Sequence, residues 1–112
     1  MSLEVNMIPA ASAATANING TAEDLLNHGS RKEKVAVQVV ATGLNSADSV
    51  MKLQESNDGT NWADISGATA TLASGASAPL IKATALVCRY IRAVYTKNTN
   101  SAGTVSAIAF FQ

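Results

Sequence analysis

Few side chains in this 112-residue chain are of types that do chemistry, and their spacing limits what they can do. His28 is the single histidine, so no multi-histidine metal site forms within one chain. Asp24, four residues earlier, offers it a hydrogen-bond partner. A catalytic centre needs more converging groups than one such pair, and a polar turn residue is the preferred reading of His28. Cys88, the single cysteine, becomes a nucleophile only beside an activating base. It stands near the start of an apolar run, where a small buried residue is expected. Asn57, Asp58, Asn61 and Asp64 carry oxygens of the kind calcium takes, roughly six to eight at a time. Their spacing is not that of an EF-hand loop, and Asp and Asn are also the residues a tight turn uses. Arg89 and Arg92 fall on opposite faces of one strand, and whichever is buried needs a carboxylate or carbonyl partner. Asn19-Gly20-Thr21 matches a glycosylation sequon and, with no secretory leader expected, reads as a turn. No Walker loop, zinc spacing or nucleophile elbow is present. These residues imply a protein without catalytic activity, cofactor or metal.

Composition narrows the classes further. Eight basic and eight acidic residues give a formal net charge of zero. A nucleic-acid binder relying on a basic field needs clustered Lys and Arg, so none is expected. Nothing approaches the ~20 apolar residues that span a bilayer. The N-terminal residues MSLEVNMIPAASAA lack a basic region and a continuous apolar core, so no signal peptide is expected and synthesis in a cytoplasm is. With one cysteine, no intramolecular disulfide forms. Charged residues make up 14% of the chain, against about 25% for ordinary soluble domains. Weak charge gives copies little reason to repel each other, which leans towards assembly.

The elements that position these residues are strands. Leu3, Val5 and Met7 alternate with Glu4 and Asn6, and Pro9 is expected to stop this first strand by removing a donor. Residues 1–16 then read as a strand and an extended arm, mobile or ordered by a neighbouring copy, and residues 17–112 as one domain. Ile18 to Leu26 reads as a strand with a bend, although Thr21-Ala22-Glu23-Asp24 also suits a helical turn. Arg31, Lys32, Glu33 and Lys34 mark a solvated loop. Val35, Val37 and Val39 share one face of a β-branched strand from Lys34 to Ala41. Ser49 to Ser56 and Asn61 to Ile65 form a hairpin around Asn57-Asp58-Gly59, residues that tolerate positive φ. Trp62 follows the turn, where it is expected to cover one end of the core. Ala68 to Leu72 and Leu80 to Leu86 are further strands. Val87 to Thr96 and Thr104 to Phe111 are expected to form a second hairpin. Phe110 and Phe111 are adjacent, so a regular strand sends them to opposite faces: one to the core, the other under the N-terminal arm or against another subunit. Short strands with frequent turn signals indicate an all-β, antiparallel, jelly-roll-like sandwich of about eight strands.

The succession GTAEDLLNHG, a Val-rich strand, LQESNDGTNWADI, CRYIRAVYT and TVSAIAFFQ resembles small β-sandwich structural proteins of tailed bacteriophages and related viruses. The likeness covers Ile18 to Gln112. It implies a virion protein that decorates a capsid, occupies a vertex or belongs to a tail, with copies of itself and other virion proteins as partners. The expected assembly surface is Leu3, Val5, Met7, Phe110 and Phe111. DGTNW and RYIR are similar to segments of discoidin-like carbohydrate-binding sandwiches, which implies an alternative: glycan or receptor binding through Asn57, Asp58, Asn61, Trp62, Asn98 and Asn100. The departures from that pattern are the lone cysteine and five aromatic residues, one Trp, two Tyr and two Phe.

Overall fold

The computed structural model describes residues 3–28 and 33–112. Arg31 and Lys32, and the side chains of Leu3 and His28, lie outside the described residues, so the readings placed on them stop there. Ten strands make two antiparallel sheets: β1 (Leu3–Ala13), β2 (Ile18–Asn19), β3 (Glu23–Asp24), β4 (Val35–Leu44), β5 (Val50–Ser56), β6 (Ala63–Thr71), β7 (Gly75–Ser77), β8 (Leu80–Ala83), β9 (Tyr90–Thr96) and β10 (Thr104–Phe111). The first sheet runs β1-β10-β4, with β7 and β8 both on the far edge of β4. The second runs β9-β5-β6, with β2 and β3 both on the far edge of β9. Taking β2 with β3, and β7 with β8, as two interrupted strands leaves eight in two four-stranded layers, a jelly-roll β-sandwich. A 3-10 turn, Leu25–His28, follows β3.

The core lies between the inner faces, and parity of side-chain direction decides who enters it. Val35, Val37, Val39 and Ala41 on β4 point inward, as do Val105, Ala107, Ala109 and Phe111 on β10. Met51 and Leu53 of β5 and Ile91, Ala93 and Tyr95 of β9 meet them from the other sheet. β1 does not stop at Pro9. It continues to Ala13 with two register shifts against β10, between Asn6 and Ile8 and between Ile8 and Ser12. Pro9 is tolerated because an edge strand at a bulge has no ladder donor to lose. The first shift also turns both Met7 and Ile8 inward, and both are fully buried. Residues 3–13 therefore pair within their own chain, where a loose arm was expected. The expected strands Asn61 to Ile65 and Ala68 to Leu72 are one strand, β6, kinked at Gly67 (φ 78°).

The last third departs from expectation in topology. β9 and β10 are not a hairpin: β9 pairs with β5, and β10 pairs with β1 and β4 in the opposite sheet. Residues 97–103 cross from one sheet to the other around Asn100, which is fully buried. Its side-chain amide donates to the carbonyls of Ala14 and Ala102, 2.8 Å each, and its oxygen accepts from Asn45 N at 2.9 Å. Tyr95, also fully buried, donates its hydroxyl to Ala14 O at 3.0 Å. Gly103 ends the crossing with φ 88°, and a Cβ there would stand 2.7 Å from the Gly43 carbonyl carbon. A two-residue period tells which face a side chain takes, not which strand lies alongside.

Candidate functional site

The outer faces of the two sheets are built differently. On the first sheet, residues opposite one another across β1, β10, β4 and β8 share a face. One outer row reads Glu4, Phe110, Ala36, Lys82. The next reads Asn6, Ile108, Gln38, Leu80, and beyond it Ser106 lies beside Val40. Val40, Leu80 and Phe110 are 43%, 56% and 41% exposed among the described residues. Gln38 donates its amide to Ala78 O at 3.0 Å and Pro79 O at 3.3 Å, at the sheet edge. The face is apolar in the middle, with Glu4 at one end of a row and Lys82 at the other. Neither has an ion-pair partner among the described residues.

Of the residues expected to form an assembly surface, the structure puts Phe110 here and Phe111 in the core, where it is fully buried. β1 pairs edge-to-edge with β10 and does not cover Phe110. Val5 faces inward, half-buried against the core, and Met7 is fully buried there. The exposed apolar patch is therefore made by β10, β4 and β8 rather than by the N-terminal residues. Val40 and Leu80 were missed. The signal available for Val40 was its position on the opposite parity from Val37 and Val39.

The outer face of the second sheet is occupied by its own polar network. Arg92 donates Nε and Nη2 to Gln54 Oε1 at 3.0 and 2.8 Å. Gln54 donates Nε2 to Asp64 Oδ1 at 2.9 Å, and Lys52 Nζ stands 3.1 Å from the same oxygen. These hydrogen bonds, Gln54 first and Lys52 after it, hold the Asp64 carboxyl below its ordinary range. The Arg92 guanidinium lies over the Trp62 ring, 4.3 Å from its centroid. Trp62 thus lies over the outside of the sheet instead of capping the core. The flat guanidinium stacks on the indole while its N–H groups stay free for Gln54.

The expected ligand-facing loops are largely self-satisfied. Asp58 Oδ1 accepts from Thr60 N and Asn61 N, 2.8 Å each, and Oδ2 accepts from Asn61 Nδ2 at 2.8 Å. These bonds, with one from the Ser56 hydroxyl, lower its pKa strongly. Asn57 Oδ1 accepts from Arg89 N at 3.1 Å. Asn98 donates to Asp48 O at 2.7 Å. Asn100 is interior, so it offers nothing to a ligand. Asp24 forms a two-pronged pair with Arg89, Oδ2 to Nη2 at 2.8 Å, and accepts from Leu26 N. Cys88 precedes β9 instead of lying within it and is half-buried. Partial burial and a hydrogen bond with Glu55 push its thiol up, away from the reactive thiolate. No three His, Cys, Asp or Glu side chains converge on a metal-sized space among the described residues. An open cleft of about 310 Å³ between β6 and β8 is lined by residues 65–67 and 82–85, of which only Lys82 is of a charged type.

No family model matches the chain, and no curated protein sequence matches it significantly. Solved structures do resemble it. PBSX exported protein XepA matches with a TM-score of 0.69 and 17% identity over 97% of this chain, which spans 36% of XepA. SPBc2 prophage-derived protein YomS matches with a TM-score of 0.67 and 12% identity, over 99% of this chain and 92% of YomS. A CBM4 structure matches with a TM-score of 0.50 and 12% identity, over 99% of this chain and 68% of that one. At these identities the likeness shows a shared β-sandwich fold.

Proposed function

We propose that this chain is a structural protein of a bacteriophage virion, capsid-associated as a decoration or vertex component, that works by self-association and docking. The observation that carries the reading is the apolar outer face of the first sheet. Of the five large apolar side chains exposed among the described residues, Phe110, Val40 and Leu80 share this face, while Leu26 and Val87 lie outside the strands. Burying one such side chain contributes on the order of 1.5–3 kcal/mol, so a partner for this face is strongly favoured. An SPBc2 prophage-derived protein and a PBSX exported protein among the structural neighbours support the phage part of this reading. In this reading the partners are copies of the chain and other virion proteins, and the role is not catalytic. Mass spectrometry and cryo-electron microscopy of purified particles test it. The expected result is the chain at a fixed copy number per particle. A chain absent from every particle would sink the idea.

The alternative is a glycan- or receptor-binding module, and Trp62 with Arg92, Gln54 and Asp64 is the feature that favours it. An aromatic ring beside fixed polar groups suits a sugar face. Arg92 already takes one side of that ring, which counts against it. A glycan array with native protein and Trp62→Ala decides: no binding by either removes the module reading.

A further inference from the structure

Resting on the self-association reading, we infer that the first sheet packs face to face on a second copy about a two-fold axis parallel to the strands, between β10 and β4. Rotation about that axis carries β1 over β8 of the second copy, and β10 over β4. Applied to the outer row Glu4, Phe110, Ala36, Lys82, it sets Glu4 over Lys82 of the other chain and Phe110 over Ala36. Symmetry repeats both pairs. The same operation sets Val40 over Ser106 of the second copy and Ile108 over Gln38. Charge thus meets opposite charge at both rims, and at Phe110 a bulky side chain meets a small one.

An axis across the strands keeps every strand over its own copy, so Glu4 never reaches Lys82. Only the axis along the strands matches the charges. The geometry also tolerates twist. The rim pair lies about 7 Å from the axis, one and a half strand spacings. An aligned packing angle of about 30° displaces it by roughly 4 Å, which lysine's flexible stem spans. Face-to-face packing at about 10 Å between sheets leaves room for Phe110 and Val40 to interdigitate.

Sedimentation equilibrium of the native chain and four variants tests this. The native chain forms a concentration-dependent dimer whose Kd rises with salt, since the rim pairs are solvent-exposed. Glu4→Lys and Lys82→Glu each put like charges together at both rims and weaken the dimer about tenfold. The double variant E4K/K82E restores Kd to within roughly threefold of native, because the pairs re-form with reversed sign. Phe110→Ser abolishes the dimer while the circular dichroism spectrum is kept. A chain that stays monomeric, neutral single reversals, or a double variant as weak as its parents would each overturn the proposal. The virion reading stands or falls separately: a particle-bound chain with no charge rescue refutes this geometry alone, and charge rescue in a chain absent from particles refutes the virion role alone.

Discussion

The two outer faces of this sandwich start from similar strands and end in opposite states. On the second sheet, Arg92, Gln54, Asp64 and Lys52 satisfy one another in a row, and Trp62 covers part of that row. On the first, the equivalent central strands present Phe110, Ile108 and Val40, with Glu4 and Lys82 at the rims unpaired among the described residues. The inner faces do not explain the difference, because both are apolar. A polar network closed on itself has its hydrogen-bonding capacity already used and gains little from a partner. An apolar face gains by every Å² it hides. On the self-association reading, the difference assigns the docking role to one side of the molecule.

The comparison is broken most directly at adjacent phenylalanines. Phe111→Ser removes a fully buried ring and leaves an unpartnered hydroxyl in the core. We expect a loss of about 3–5 kcal/mol, much of the total stability of a domain this size, read by urea denaturation. Phe110→Ser, one residue earlier on the outer face, should cost under about 1 kcal/mol and abolish assembly in light scattering. Equal destabilisation by the two would erase the distinction between inner and outer positions of β10.

That parity argument was readable in the sequence, and so were the valine alternation of β4, the hairpin around Asp58 and the bounds of β10. Each depends on a local rule, a two-residue period or a turn that needs particular residues. What was not readable is non-local. The Asn6/Ile8 shift that brings both Met7 and Ile8 inward comes from pairing with β10, and no alternation in LEVNMIP announces it. The crossing between β9 and β10 is held by Asn100 and Tyr95 reaching the Ala14 carbonyl more than eighty residues away. Trp62 looked like a core cap because its partner, Arg92, lies across β5 and thirty positions along the chain. The exposed apolar patch was half legible: Phe110 from parity, but not Leu80, whose strand position follows only from its register against Gln38.

The next largest effect is expected at that crossing, which holds the two sheets in register. Asn100→Ala takes their side-chain partner from the Asn45 amide and the Ala102 carbonyl, and leaves the Ala14 carbonyl with Tyr95 as its side-chain donor. A loss of about 1–3 kcal/mol follows from leaving buried polar groups unpaired. Both faces should be weakened together, so the ratio of dimer to monomer at a temperature well below melting should stay near native. A dimer lost in proportion to stability would mean that the first face depends on the crossing as well as on its own side chains.

A smaller effect separates the faces from the other side. Trp62→Ala removes the guanidinium–indole stack and part of a half-buried ring, costing about 1 kcal/mol. Gln54 still holds Arg92, so the network should persist and self-association should be unchanged. A lost dimer would show that the second face also docks, and the contrast between the faces would fail.

The smallest expected effect is a pH dependence that the second sheet and its hairpin feel through two carboxylates. Asp58 and Asp64 both sit below the ordinary carboxylate value of 3.8: Asp58 through backbone bonds from Asn61 and Thr60, Asp64 through Gln54 and Lys52. A carboxylate depressed in the folded state releases its proton more readily there than in the unfolded chain. Its stabilisation is therefore present above pH 3.8 and is lost as pH falls through the folded value. Stability should hold from neutrality to about pH 4.5 and then decline, with Trp62 fluorescence reporting loosening around Arg92. Asp58→Asn keeps an oxygen for the Thr60 and Asn61 amides but removes the charge and its titration, so stability at neutral pH should fall towards the acid value of the native chain and the acid decline should become shallower. An unchanged acid slope in Asp58→Asn would mean that the hairpin bonds do not outlast protonation of groups elsewhere, and the second face would lose its claim to be the self-sufficient one.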